Sequence, residues 1–348
     1  MTCTDFSTRI IAWQKRHGRH DFPWQNTREP YRIWLSEIML QQTQVATVIP
    51  YYARFLEKFP TLRDLASASE DEVLALWSGL GYYSRGRNLL RTAQIVAEQF
   101  GGEFPDAIDD ILALPGIGQS TAAAISAFAF GERQAILDGN VKRVFARHFG
   151  VAGFPGDKKI ETKLWRVANQ ALPKNNIEAY TQGLMDLGAT VCLRTRPLCL
   201  ACPVGDSCAA KSEGRIHELP APRPKKAVPE KSTTMLIISH AGEVLLEKRP
   251  PTGVWAGMWC FPELQNGASS RGACRERYGL EITALKPWDV LQHGFTHFKL
   301  SITPQPIKVE KKLSRAAEPG VMWLSIDDAL TTAIPKPVRA LLTKLGER

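Results

Sequence analysis

The 348-residue chain has no apolar run approaching the length of a membrane span. Its opening residues, Met1-Thr-Cys-Thr-Asp5, lack the basic and apolar stretches of a secretory signal. Acidic residues are the minority sign. The chain has 35 Asp and Glu against 44 Lys and Arg, a net charge of +9. That balance excludes an acidic, self-repelling chain and suits a polyanionic partner. Cysteine is scarce, seven residues in all, and without a secretory signal this argues against a disulfide-built extracellular fold. No internal repeat or low-complexity tract is present. The expectation is a soluble intracellular protein.

The length allows two or three domains, each with its own core. Up to about residue 215 the pattern is helical. Segments 33–40, 73–77, 89–96, 122–130 and 141–149 carry apolar residues at helical spacing, punctuated at Pro60, Gly79, Gly81, Pro105 and Pro115. Residues 214–232, rich in Pro and basic side chains, read as a stiff linker. Beyond it, 234–239, 243–248 and 298–303 read as strands. The last third is therefore a separate mixed α/β domain.

The run Leu114-Pro-Gly-Ile-Gly118 predicts a tight hairpin between two helices. Gly116 and Gly118 there permit positive φ and a close backbone approach. The hairpin amides can hold a phosphate oxygen without reading sequence. Asp138, in Leu137-Asp-Gly-Asn-Val-Lys-Arg-Val144, reads either as a helix N-cap or as a catalytic anion. Glu37 has Ile33 at i−4 and Leu40 at i+3, so it shares an apolar stripe, and its carboxyl should be desolvated with a raised pKa. Two carboxyls so divided, one protonated and one ionised, suit glycosidic bond cleavage. Gln41, Gln42 and Gln44 are expected to continue the Glu37 helix, where amides could fill the gap left by an extruded base. The loop Gly79-Leu-Gly-Tyr-Tyr-Ser-Arg-Gly-Arg87 offers Tyr82 as a wedge between base steps. Four cysteines, Cys192, Cys199, Cys202 and Cys208, follow C-x6-C-x2-C-x5-C. Their spacing alone leaves zinc and an iron–sulfur cluster both open. Cys3, Cys260 and Cys274 read as isolated thiols.

With these motifs, residues 1 to about 215 resemble the helix–hairpin–helix DNA glycosylases that carry a 4Fe-4S cluster. Trp34-Leu-Ser-Glu-Ile-Met-Leu-Gln-Gln-Thr-Gln-Val45 and Leu137-Asp-Gly-Asn-Val-Lys-Arg-Val144 point to the adenine DNA glycosylase branch, and the likeness runs through the whole chain. The resemblance implies a 4Fe-4S cluster on Cys192, Cys199, Cys202 and Cys208. It implies that Glu37 protonates adenine, that Asp138 stabilises the cationic sugar, and that Asn140 helps hold the site. Bifunctional relatives carry a Lys where Ser120 stands, and many members a Tyr, so Ser120 implies base release without strand scission. Lys142, four residues after Asp138, could share its helical face and trap the opened sugar.

The last third resembles Nudix hydrolases. Glu263 and Glu276 remain of the metal-binding acids, but the paired glutamates are missing, so binding without hydrolysis is expected. In the family this domain recognises 8-oxoguanine, and in this chain the corresponding hairpin reads Phe295-Thr296-His297-Phe298.

Residues 1–213 are therefore expected to form an all-α catalytic region with a helix–hairpin–helix at about 112–130 and a cluster loop at 192–208. Residues 214–232 link it to a mixed α/β Nudix-like domain at 233–348. The partner is double-stranded DNA carrying adenine opposite 8-oxoguanine or guanine. DNA-binding candidates are Gln41, Gln42, Tyr82, Gly116, Gly118, Phe295, Thr296 and His297, with added charge from Arg194, Arg196, Lys225 and Lys226. The protein is expected to be a monomer of the bacterial type, cytoplasmic and nucleoid-associated, with no readable protein partner. Two rivals stand beside this reading: a bifunctional pyrimidine glycosylase/lyase, and a non-enzymatic iron–sulfur DNA-binding protein.

Overall fold

Proline and glycine divide the first two-thirds of the chain into short helices. The structure, a computed structural model, describes residues 3–224, 227–264, 268–313 and 320–347, with the side chains of residues 3 and 4 outside that description. Lys225 and Lys226 therefore lie outside the described residues, as does the side chain of Cys3. Two compact units result: Met1–Ala66 with Arg91–Lys225, and Ser67–Leu90 with Lys226–Arg348. Residues 67–90 thus group with the C-terminal part of the chain.

In the first unit, α1 spans Cys3–His17, α2 Pro30–Leu40, α3 Val45–Lys58 and α4 Leu62–Ala66. Helix α2 starts sharply. Pro30 occupies its first turn, and the Glu29 side chain caps it by accepting the N–H groups of Tyr31 and Arg32 at 3.0 and 3.1 Å. It ends at Leu40, because Gln42 adopts φ +57° and Thr43 N–H turns back to the Leu40 carbonyl at 3.2 Å. The expected continuation through Gln41, Gln42 and Gln44 is thus corrected. Gln41 is the C-cap of α2 and Gln44 the N-cap of α3.

Two helices of the chain, α5 (Glu70–Trp77) and the first turns of α6 (Ser84–Gln99), group with the second unit. The first unit resumes with α7 (Ile108–Ala113), the hairpin and α8 (Gln119–Ile125). A π-helical turn, Ser126–Phe130, follows and ends at Gly131 with φ +72°. Then come α9 (Gly139–His148), α10 (Lys158–Gln170) and α11 (Ile177–Asp186). A second π-helical turn, Leu187–Val191, leads to the cysteine loop and α12 (Ala209–Ser212). Phe6, Ile10, Val141, Val144, Phe145, Leu164, Tyr180 and Leu184 form one buried core under these helices.

Among the described residues, the second unit is built on an eight-stranded mixed sheet. Its strands are β1 (Glu230–His240), β2 (Glu243–Lys248), β3 (Trp259–Cys260), β4 (Glu263–Leu264), β5 (Leu280–Ala284), β6 (Leu291–Gly294), β7 (Lys299–Lys312) and β8 (Val321–Ser325). The central pair, β1 and β7, is parallel over ten residue pairs, while β2, β5 and β6 join antiparallel. Alternation along β7 places Leu300 and Ile302 in a core on one face of the sheet, and Ile307 and Val309 in a second core on the other. Helices α13 (Ser270–Tyr278), α14 (Ile326–Thr331) and α15 (Lys336–Gly346) complete the unit. Residues 67–90 add to it. Ser69 and Glu72 form a capping box on α5, and Leu74 joins the core of Met258, Trp259 and Val338. Lys248 Nζ meets Asp71 Oδ2 at 2.7 Å, and Ser78 Oγ donates to the Ile334 carbonyl at 2.7 Å. The first strand begins at Glu230, inside the expected 214–232 linker. Among the described residues no helix is long and apolar enough to cross a membrane.

Candidate active site

A cleft of about 1210 Å³ opens in the first unit, bordered by Glu37, Gln41, Ser120, Asp138, Asn140 and Gln182 among others. Glu37 comes from the last turns of α2, whose stripe of Ile33, Trp34, Ile38 and Met39 is buried. The residue is only partly exposed, and burial, with the Asp138 charge second, pushes its carboxyl up to about 8. Among the described residues, no hydrogen-bonding or cationic influence offsets that rise.

Asp138 is both the N-cap of α9 and part of the cleft wall. Its Oδ1 accepts the Val141 N–H at 2.7 Å, and Asn140 Nδ2 stands 3.5 Å from Oδ2. Burial raises its pKa. The Val141 and Asn140 N–H groups, the Arg143 charge and the Asn140 side chain all act in the opposite direction. Burial thus raises both carboxyls and is the larger effect at each, but hydrogen-bond donors and the Arg143 charge favour the ionised form only at Asp138.

Behind Asn140 lies Arg143. Its Nη2 donates to Asn140 Oδ1 at 2.9 Å and to the Gly188 carbonyl at 2.7 Å, while Nε donates to the Cys192 carbonyl at 2.7 Å. Ser120 Oγ accepts the Leu137 N–H at 2.9 Å, tying the start of α8 to the residue before Asp138. Lys142 is turned elsewhere, with Nζ on Glu161 Oε1 at 2.6 Å. The expected approach of Lys142 to Asp138 is corrected, because the acid on α10 captures it and the residue does not border the cleft.

In the hairpin, Gly116 takes φ +80°, as expected. Gly118 does not; it is the N-cap of α8 at φ −93°, ordinary extended backbone, with open space where a Cβ would stand. Gln41 Nε2 reaches across to Thr121 Oγ1 at 3.3 Å and to the Gly116 carbonyl at 3.4 Å. Gln42 stands outside the cleft wall in its left-handed turn.

The four cysteines form no disulfide among the described residues, and each is partly exposed. Burial and the neighbouring Cys192, Cys208 and Cys199 push Cys202 up to about 11, against one favourable backbone hydrogen bond from Val204. Among the described residues, no group of three or more His, Cys, Asp or Glu is arranged to hold a single metal ion. Arg147 is 4 % exposed and donates to the carbonyls of Leu193, Arg194 and Leu219 at 2.6, 3.0 and 2.8 Å, and to Cys192 Sγ at 3.4 Å. None of these acceptors carries a full charge while the thiols are protonated. A buried guanidinium of this kind calls for an anion, and thiolates gathered on a cluster would supply one. Arg194 and Arg196 are exposed on the same loop.

In the second unit, Tyr82 takes φ +49° and is 43 % exposed, following Gly79 and Gly81, which also have positive φ. The turn between β6 and β7 is closed by Phe295 N–H on the Phe298 carbonyl at 2.8 Å. Phe295 stacks on Phe298 with ring centroids 4.3 Å apart and meets Trp255 at 5.5 Å, leaving Thr296 and His297 exposed at the tip. The acids near the remnant hydrolase motif are matched to cations. Glu263 pairs with Arg249 at 2.8 Å, and Glu247 with Arg277 at 2.5 Å.

Comparisons with known proteins agree with this architecture. Residues 35–170 match the HhH-GPD superfamily base excision DNA repair proteins, and residues 233–344 match the NUDIX domain. The adenine DNA glycosylase of Buchnera aphidicola subsp. Acyrthosiphon pisum (strain APS) is 37 % identical over 98 % of this chain and 98 % of its own length. That of Homo sapiens is 33 % identical over 95 % of this chain and 72 % of its own length. Among solved structures, a thermostable thymine-DNA glycosylase is 30 % identical, with a TM-score of 0.55, covering 61 % of this chain and 97 % of that one.

Proposed function

The chain belongs to the adenine DNA glycosylases, base-excision repair enzymes that hydrolyse an N-glycosidic bond, and from that premise we propose that it removes adenine mispaired with 8-oxoguanine or guanine and leaves an abasic site. One observation carries the reading of the chemistry. Glu37 and Asp138 border one cleft, where burial raises both carboxyls and only Asp138 has hydrogen-bond donors and a guanidinium that favour its anion.

Glu37 holds its proton near neutral pH and donates it to the extruded adenine. The bond between base and sugar then breaks with its electrons leaving on the base. Asp138, ionised and fixed by its cap, faces the cationic sugar, and water completes the hydrolysis. Asn140 and Arg143 hold Asp138 in place. Ser120 is engaged with the Leu137 N–H and cannot form a Schiff base, and Lys142 is paired with Glu161. Both observations favour base release without strand scission over the lyase reading.

Cys192, Cys199, Cys202 and Cys208 would hold a 4Fe-4S cluster, with Arg147 as the buried counter-charge. When bound, it supplies a rigid, anionic anchor for the exposed Arg194 and Arg196, which contact DNA phosphate. The Leu114–Gly118 hairpin takes a backbone phosphate, with Gln41 and Gln42 beside it. Tyr82 wedges into the duplex, and Phe295, Thr296 and His297 recognise 8-oxoguanine.

The test is incubation with duplexes carrying adenine opposite 8-oxoguanine, guanine, cytosine or thymine, scored with and without alkali. Product that appears only after alkali, opposite 8-oxoguanine and guanine alone, is the expected result. Strand breaks formed as fast as base release overturn the monofunctional reading.

A further inference from the structure

The edge of β7 that faces away from β1 is covered by β6 over Lys299–Ile302 and by β5 over Ile307–Lys312. Between them, Pro304 and Pro306 have no N–H to give, so this stretch of edge offers carbonyls alone. The loop after β5 satisfies both. Trp288 N–H donates to the Pro304 carbonyl at 2.9 Å and Leu285 N–H to the Pro306 carbonyl at 3.0 Å. Gln305 Nε2 donates to the Leu285 carbonyl at 2.6 Å. The loop is thus strapped to the sheet, yet it keeps apolar side chains at the surface: Leu285 is 48 % exposed and Val290 51 %.

Between this loop, β1, β7 and the end of α15 lies a groove of about 590 Å³. Its lining is apolar at Ile237, Pro306 and Leu345 and cationic at Lys286, Lys308 and Lys344, against one acid, Asp289. Lys308 also meets Glu310 at 3.4 Å, and Lys344 Nζ sits 5.1 Å from the Trp288 ring centroid. We propose that the groove docks an acidic segment of a partner protein. An apolar side chain of that segment fills the floor, and its carboxylates meet the lysine rim. The backbone strap makes the site preformed, so little ordering of the loop opposes binding.

The same chemistry disfavours other occupants. A DNA duplex brings phosphates for the lysines and nothing apolar for the floor. A single strand gains by stacking its bases on aromatic faces, and Lys344 already caps one face of Trp288. A second copy of the chain, at a net charge of +9, brings the wrong sign. Nor does the groove extend the β6–β7 turn. Pro306 stands seven residues beyond Lys299 on β7, about 23 Å at the rise of a strand.

The test begins with displayed random peptides panned on the full chain. Enriched peptides are labelled and titrated by fluorescence anisotropy. They should combine Asp or Glu with an aromatic or branched apolar residue, and bind more weakly as salt rises. Leu285→Asp puts a like charge on the apolar wall, and Lys286→Glu with Lys344→Glu reverses the rim. Each should weaken the peptides by at least about tenfold. If the double variant does not fold, Leu285→Asp decides alone. Failure to enrich any peptide, enriched peptides without acids, or equal binding by the variants overturns the proposal. Base release from duplex without peptide should keep its wild-type rate in Leu285→Asp; a loss there places the groove on DNA and overturns it too. A labelled single strand that binds wild type at least about tenfold tighter than Leu285→Asp reassigns the groove to nucleic acid. A concentration-dependent dimer that Leu285→Asp abolishes reassigns it to a second copy. Either result also overturns the proposal.

Discussion

Asp138 Oδ1 accepts the Val141 N–H at 2.7 Å, so the carboxylate that faces the cleft also caps α9. On the proposed mechanism cap and catalyst are one group, and two substitutions separate them. Asparagine is as good a cap as aspartate, whereas alanine costs about 1 kcal/mol. Asp138→Asn should keep its melting temperature and its binding to mismatched duplex, and lose base release by on the order of 10²–10³-fold. Asp138→Ala should lose the same rate and melt several degrees lower. Base release by Asp138→Asn at the wild-type rate would remove Asp138 from the mechanism.

The acid should show itself in the pH dependence. Burial raises Glu37 to about 8, so its protonated form is present at neutral pH and is lost as pH rises through about 8. Single-turnover base release should fall across that range. Glu37→Gln should abolish the limb and lower the rate by roughly 10²–10⁴-fold. The same shift has a stability consequence of definite sign. The folded pKa lies above the ordinary 4.5, so the stability tied to the bound proton is whole below about 4.5 and drains away up to about 8. Glu37→Gln should therefore melt a few degrees above wild type at pH 8 and alongside it near pH 4. Equal melting at both pH values would contradict the burial argument.

Ser120 can be tested as a tether. Leu137 is 3 % exposed, and its N–H donates to Ser120 Oγ. Ser120→Ala leaves a buried donor unsatisfied and should cost about 1–3 kcal/mol, read from denaturant unfolding. The base-release rate should fall as well, because Leu137 precedes Asp138. A fall in rate with no loss of stability would mark Ser120 as a group acting on substrate rather than on Leu137.

Iron tests the cysteine quartet directly. Protein purified without chelator should carry about four irons per chain with cluster absorbance in the visible, and Cys202→Ser should lose both. Removal of iron should leave the Arg147 guanidinium without its anion and loosen the segment it holds at Leu219. That loosening is measurable as faster amide exchange at 215–224.

Much of this was legible in the residues because it depends on local pattern. Glu37 between Ile33 and Leu40 announced desolvation, and Pro115 with Gly116 announced the hairpin, since both are effects within one or two helical turns. Other features had no local signature. Gln42 takes a left-handed turn that glutamine does not advertise, so α2 ends at Leu40, four residues before the pattern suggested. Lys142 had the right spacing from Asp138, yet Glu161 on another helix claimed it. Arg143, Gln182 and Asp186 gave no signal at all. Their partners lie 3 to 167 residues away, and only folding brings Arg19 to Asp186 or Arg143 to Gly188. The grouping of 67–90 with the β-rich unit was equally hidden, because it depends on contacts such as Ser78 to Ile334.

Gly188 offers the sharpest steric test of the site. It is buried in the π-helical turn after α11, where a Cβ would stand 2.5 Å from Asn140 Cβ and 3.1 Å from Asn140 Cα. These atoms belong to the backbone or adjoin it, so no flexible side chain can move aside. The Gly188 carbonyl accepts Arg143 at 2.7 Å, which fixes the turn against α9. Gly188→Ala must therefore push Asn140 and the start of α9, where Asp138 is the cap. The overpacking should cost about 1–3 kcal/mol. The base-release rate, corrected for folded fraction, should fall by at least about tenfold, since an error of about 1 Å at a reacting group has effects of that size or larger. Full activity in the folded fraction of Gly188→Ala would show that the position of Asn140 is immaterial to the chemistry, and would remove the Arg143 bridge from the groups that hold Asp138.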